Sequence, residues 1–268
     1  MTTLAYTAAD SATMLRRNLR RLRRYPSLTL LIIGMPLVFL LLFVYVFGGQ
    51  LRPGLGGGLA GGHAGRAGYL NYVSPGILIM TIAATVQGTA IVVAMDMTGG
   101  IIDRFRTMAI ARASVLTGHV LASLIQTLAG IAVVLGVAMA LGFRPTANPA
   151  EWLATIGVLA LFTLALVWLA TALGLAAKSV ETASNTPMFL TLLPFLGSGF
   201  VPTDSMPSGL RDFAKYQPFT PVTETVRGLL TGTPIGTTNG IATMAWSVGI
   251  AVASYLWARH LYKHRSAR

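Results

Sequence analysis

Long apolar runs alternate with short polar ones along the chain, and the apolar runs are long enough to cross hydrocarbon. Six stand out: Leu28–Phe47, Tyr72–Met95, Val115–Leu141, Trp152–Ala177, Thr182–Val201 and Ile241–Ala258, each about 18–27 residues. The pattern predicts an all-α membrane protein with six transmembrane helices. Gly34 and Pro36 fall in the first run, Pro75 and Gly88 in the second, Pro187 and Pro194 in the fifth. Such breakers are tolerated where neighbouring helices satisfy the freed backbone groups.

The polar stretch between the second and third runs has its own periodicity. From Ile101 to Ile110, Ile101, Ile102, Phe105, Met108 and Ala109 share one arc of a helical wheel, while Asp103, Arg104, Arg106 and Thr107 share the other. Gly99 and Gly100 allow a sharp turn ahead of it. This predicts a short amphipathic helix lying flat at the membrane face, a contact surface for another protein. The competing reading is a solvated connector.

A second amphipathic segment opens the chain. From Asp10 to Arg24, Met14, Leu15, Leu19 and Leu22 share one side, and Arg16, Arg17, Arg20, Arg23 and Arg24 the other. Asp10 or Ser11 can cap its start. It reads as an interfacial helix, apolar side in lipid and guanidinium groups toward phosphates.

The stretch Pro202–Gly240, between the fifth and sixth runs, is long for an unstructured connection. It carries two helix signatures, Pro207–Lys215 with Leu210 and Phe213 apolar, and Thr220–Gly232, with Thr220 expected as the cap and Pro221 at the first helical position. Neither can span, so a re-entrant pair that dips into the outer leaflet is expected, with a gating role. Glu224 and Arg227 sit three apart and can pair.

Charge adds orientation. Fourteen Lys and Arg fall on one side: six in residues 16–24, then Arg104, Arg106, Arg112, Lys178, Arg259, Lys263, Arg265 and Arg268. Six fall on the other: Arg52, Arg66, Arg144, Arg211, Lys215 and Arg227. Both termini and the Asp96–Val120 stretch are therefore expected in the cytoplasm. The division is a cytoplasmic N-terminal helix over 1–27, one transmembrane domain over 28–258 and a basic tail over 259–268. A net charge of +12 would suit nucleic acid, but the basic residues flank apolar spans, where anionic lipid is the natural partner.

The chemistry is defined mainly by exclusion. A phosphate loop needs Gly directly before its Lys, and Lys178, Lys215 and Lys263 follow Ala177, Ala214 and Tyr262. Any ATP, with its Mg, is thus expected on another chain, and no cofactor on this one. No cysteine is present, so thiolate metal sites and cysteine nucleophiles are excluded. No catalytic triad motif occurs. His260 and His264 have metal-ligand spacing but no carboxylate beside them. The span interiors offer Gln87, Gln126 and Asn185, which suit interhelical bonds better than a proton relay. Ala170 and Gly174 form a small-xxx-small packing pair, and Trp168 lies deep in its span, suited to core packing or to stacking on flat cargo.

Three stretches carry a family resemblance: the Arg-rich N-terminal helix running into the first span, GGIIDRFRTMAIARASVLTGHVLASL, and LPFLGSGFVPTDSMPSGLRDFAKYQPFTPVTETVRGLLTG. Together they resemble the membrane subunit of an ABC-2-type exporter, in the branch of actinobacterial daunorubicin/doxorubicin-resistance permeases. The second stretch departs from the wider family's acidic, Arg- and Gly-rich version and keeps Asp103, Arg104 and Arg106. The resemblance implies a multi-pass protein of the bacterial plasma membrane, paired with a second permease copy or paralogue and with two cytoplasmic ABC ATPase subunits. It implies that residues 1–24 form the elbow helix, that Ile101–Ile110 form the coupling helix docked on the ATPase, and that cargo is amphipathic: drugs, lipids or glycans. Drug efflux is the expected function. Export of a lipid or glycan, or a non-ABC membrane enzyme or scaffold, are the alternatives.

Overall fold

The computed structural model describes residues 12–20, 26–47, 66–99 and 112–264, and every regular element among them is helical. In chain order these are α1 (12–20), α2 (Pro26–Leu42), α3 (Arg66–Thr98), α4 (Arg112–Ala140), α5 (Pro149–Ala176), α6 (Val180–Asn185), α7 (Met188–Leu192), α8 (Ser208–Tyr216), α9 (Phe219–Thr231) and α10 (Thr237–His264). A π-helical turn, Phe43–Phe47, extends α2, and a 3-10 turn, Leu193–Leu196, extends α7.

Four helices, within α3, α4, α5 and α10, are long and apolar enough to cross a membrane. At 1.5 Å per residue, the 33 residues of α3 reach about 50 Å. The third of these spans, α5, starts sharply at Asn148–Pro149. Asn148 Oδ1 accepts from the Glu151 backbone N–H at 2.9 Å, and the Glu151 carboxylate accepts from the Asn148 N–H at 2.7 Å. Two donors that the helix leaves orphaned are thus satisfied reciprocally, with Pro149 in the position where its missing N–H costs least.

The fifth apolar run, expected as one helix over Thr182–Val201, is broken into α6, α7 and the 3-10 turn. Pro187 and Pro194 each remove a backbone donor, and the chain between them is too short for a stable helix of its own. Pro36 and Pro75, by contrast, lie inside α2 and α3 without ending them.

The bundle is organised around α3. Nearly three quarters of its apolar window is buried within the protein, against 22% for α10. The core runs along α3 through Leu70, Val73, Ile77, Ile82, Val86 and Ala90, and meets Phe162 of α5 and Val222 and Val226 of α9. Two of its buried threonines are satisfied one turn back: Thr81 donates to Ile77 O at 2.9 Å and Thr85 to Thr81 O at 3.0 Å. Gln87 donates to Ser184 O at 3.1 Å, the kind of interhelical bond expected of a mid-span amide. Trp168 packs edge-on against Tyr255 with ring centroids 5.0 Å apart, a core use.

The small-xxx-small pair marks a close helix crossing. A Cβ at Gly174 would stand 2.6 Å from Ala90 O and 2.9 Å from Val93 Cβ, whereas one at Gly157 on the same helix would meet open space. Gly174→Leu is therefore expected to destabilise the bundle by about 1–3 kcal/mol through overpacking. Gly157→Leu serves as the control, and thermal unfolding in detergent separates them. Equal melting would contradict the crossing.

Candidate coupling and outer-anchor sites

Two charged clusters sit at opposite ends of α3. The first joins the end of α3, the start of α4 and α1. Asp96, 2% exposed, lies in the last turns of α3. Its Oδ2 accepts from Arg17 Nη2 of α1 at 2.8 Å and stands 3.1 Å from Nε2 of His119 on α4. Beside this cluster, Gly118 gives α1 room: a Cβ there would fall 2.6 Å from Met14 Cβ. The buried face of α1 is thus centred on Met14 and Asn18, with Leu15 and Leu19 half-buried and Arg16 and Arg20 exposed. Met14, expected in lipid, packs on protein, because α4 offers a bare glycine where the helices meet. Arg17 turns toward a carboxylate, where a phosphate had been expected. Arg23 and Arg24, and the amphipathic stretch Ile101, Ile102, Asp103, Arg104, Phe105, Arg106 and Met108, lie outside the described residues.

The second cluster surrounds Arg227 at the other end of α3. The two helix signatures read between the fifth and sixth runs are α8 and α9, and α9 ends at Gly232 in the left-handed conformation (φ 69°) that glycine adopts without strain. Pro207 caps α8 and Phe213 is half exposed on it; α9 starts at Phe219 after Pro218, so Thr220, expected as its cap, and Pro221, expected at its first position, are buried at the second and third positions of its first turn.

Arg227 is 6% exposed, a costly place for a cation unless every donor is used. It pairs with Glu224 one turn away. Its Nη2 donates to Ser198 O at 2.8 Å and to Tyr72 O at 3.2 Å, and its Nε to Tyr72 O at 3.3 Å. The guanidinium carbon lies 4.0 Å over the Tyr72 ring, and the Tyr72 hydroxyl closes the loop by donating to Ser198 O at 2.9 Å. One arginine thus ties α3, the chain after the 3-10 turn, and α9. Gly76 and Gly199 touch backbone to backbone beside it, since a Cβ at Gly76 would lie 2.4 Å from Gly199 O. Further strands of the same knot are Gln217 Nε2 to Leu193 O at 3.0 Å, and the Thr146 N–H to Leu230 O at 2.9 Å.

The Glu224–Arg227 pair was visible as a spacing, but its burial and its partners Tyr72 and Ser198 were not. The union of Asp96 and His119 with Arg17 was not foreseen. Among the described residues no group of three or more His, Asp or Glu is disposed to hold a metal ion.

Residues 11–231 match the family described as ABC-2 type transporter, a match that runs from α1 through α9 and takes in both clusters. The chain belongs to the ABC-2 type transporter family. It is similar, at 27% identity over 266 residues, to a daunorubicin resistance ABC transporter permease protein of Streptomyces coeruleorubidus, covering 98% of this chain and 90% of that one. It is also similar, at 26% identity over 178 residues, to a probable doxorubicin resistance ABC transporter permease protein of Mycobacterium tuberculosis, covering 65% and 64% of the two chains. The chain is accordingly an ABC-2 permease, a multi-pass protein of the cell membrane.

Proposed function

We propose that this permease forms the membrane pathway of an ATP-driven exporter that moves amphipathic or hydrophobic compounds, drugs and antibiotics among them, out of the cell. The observation that carries this reading is the end-to-end similarity to a daunorubicin-resistance permease, combined with a chain that has no phosphate loop of its own. ATP and Mg belong to a pair of cytoplasmic ABC ATPase subunits, and a second permease copy or paralogue completes the pathway. Six crossings are the topology, with α2 and the broken α6–α7 segment joining the four long helices. Both termini then lie in the cytoplasm, and the Asp96 end of α3 faces the ATPases.

In that arrangement α1 is the elbow helix and Ile101–Ile110 the coupling helix. Phe105 and Met108 present an apolar plug to the ATPase, and Arg104 and Arg106 face its acidic groups or lipid phosphates. Short helices attached to long spans carry such motion well, because packed elements shift as bodies and do not deform continuously. At the outer face, the Arg227 knot makes α9 travel with α3. α8, with Leu210, Phe213 and Tyr216 exposed, is the part left to gate.

Co-expression of the permease with its candidate ATPase tests the reading. The two chains should co-purify, and the reconstituted complex should expel a fluorescent anthracycline from vesicles only when ATP and Mg are supplied. Efflux without an ATPase, or an ATPase that never associates, would reject it.

A further inference from the structure

The cluster at the α3–α4 end ties together more than its two neighbouring spans. Asp96 is the sole acidic residue of α3, His119 stands near the start of α4, and the chain that carries Ile101–Ile110 connects those two helices. Arg17 brings α1 to the same carboxylate oxygen. A second, uncharged contact reinforces the seat. Gly118, beside His119, admits the Met14 backbone and side chain so closely that any larger residue would displace α1. A buried carboxylate is costly, and it is retained in a stable fold when its partners hold it in one geometry.

We propose that Asp96 is a positioning residue that locks α1 to both helices bracketing the 100–111 segment. A push on that segment is then borne by three helices as one body and not absorbed by bending of a lone connector. Arg17 supplies the charge of the lock, His119 its second contact, and Gly118 its fit. This rests on the coupling role given to Ile101–Ile110 above. It goes further by assigning the transmission of that motion to a defined side-chain cluster.

Because this chain has no cysteine, Met14→Cys places one thiol in it, at a residue that is 6% exposed, and labelling is read on the permease chain separated from the ATPase. In the purified permease–ATPase complex, the rate of reaction with a water-soluble maleimide reads whether α1 is seated. Asp96→Asn in that background is expected to raise the rate about tenfold, as a locally opened element would. Asp96→Glu should raise it much less. Gly118→Val, which leaves every charge in place, should raise it as Asp96→Asn does. In Asp96→Asn the cargo moved per ATP hydrolysed should fall about tenfold, with hydrolysis itself persisting.

Unchanged labelling in both Asp96→Asn and Gly118→Val overturns the lock. Raised labelling with cargo per ATP unchanged overturns the positioning role. Normal export by a Phe105→Asp variant would instead remove the coupling reading, and the labelling experiment would still decide whether the lock exists.

Discussion

Arg227→Met is expected to cost the folded permease about 3 kcal/mol, the lower part of the range for breaking a buried charge pair. The substitution keeps much of the stem volume and removes the fork. Ser198 O keeps the Tyr72 hydroxyl, so it is not stripped bare, but the Tyr72 carbonyl loses both guanidinium donors and the Tyr72 ring its cation. Glu224 loses its partner, and because its side chain is 32% exposed it can recover some hydration, which limits the penalty. Arg227→Lys restores the charge but offers a point contact in place of a planar fork, so only part of the loss should return. Thermal unfolding in detergent, followed by aggregation or intrinsic fluorescence, ranks the three proteins: native above Lys above Met. A Met variant that unfolds with the native protein would mean that the knot holds nothing, and that α9 is seated by apolar packing alone.

A second large effect is expected in the proposed coupling stretch Ile101–Ile110. Phe105→Asp should reduce export at least roughly tenfold while the protein still inserts and the ATPase still hydrolyses, because an unpaired carboxylate in an apolar socket costs several kcal/mol of docking. Phe105→Leu, which stays apolar, should retain most export. Measured side by side in vesicles, efflux and phosphate release distinguish loss of coupling from loss of the complex. Full export by the Asp variant would show that this helix is no lever.

Much of the architecture was legible in the sequence because membrane helices announce themselves by composition. The runs at Tyr72–Met95, Val115–Leu141, Trp152–Ala177 and Ile241–Ala258 map onto α3, α4, α5 and α10. Pro207 and Gly232 fixed the limits of α8 and α9 to within a residue, since one restricts the backbone and the other supplies a left-handed turn. The small pair Ala170 and Gly174 foretold a close crossing, though not that Ala90 and Val93 would fill it.

What remained hidden depends on contacts between distant positions. Arg17 and Asp96 are 79 residues apart, and Arg227 and Tyr72 are 155 apart. No local period signals such pairs, and only the packing of α1, α4 and α9 around α3 creates them. The fifth run was expected as one helix for a different reason. Its mean apolarity is that of a span, but hydropathy does not register the two missing amide donors at Pro187 and Pro194 that interrupt it.

Tyr72 and Asp96 belong to the same uninterrupted helix, with about 36 Å of rise between them. One stiff pole therefore carries an arginine fastening near each tip, made by Arg227 above and Arg17 below. On a pole of that length, a tilt of about 5° swings one tip by about 3 Å when the other is held. A small nudge at the lower tip thus reaches the upper fastening as a turn of the same few degrees, and one stiff helix links what happens at the two ends of the bundle.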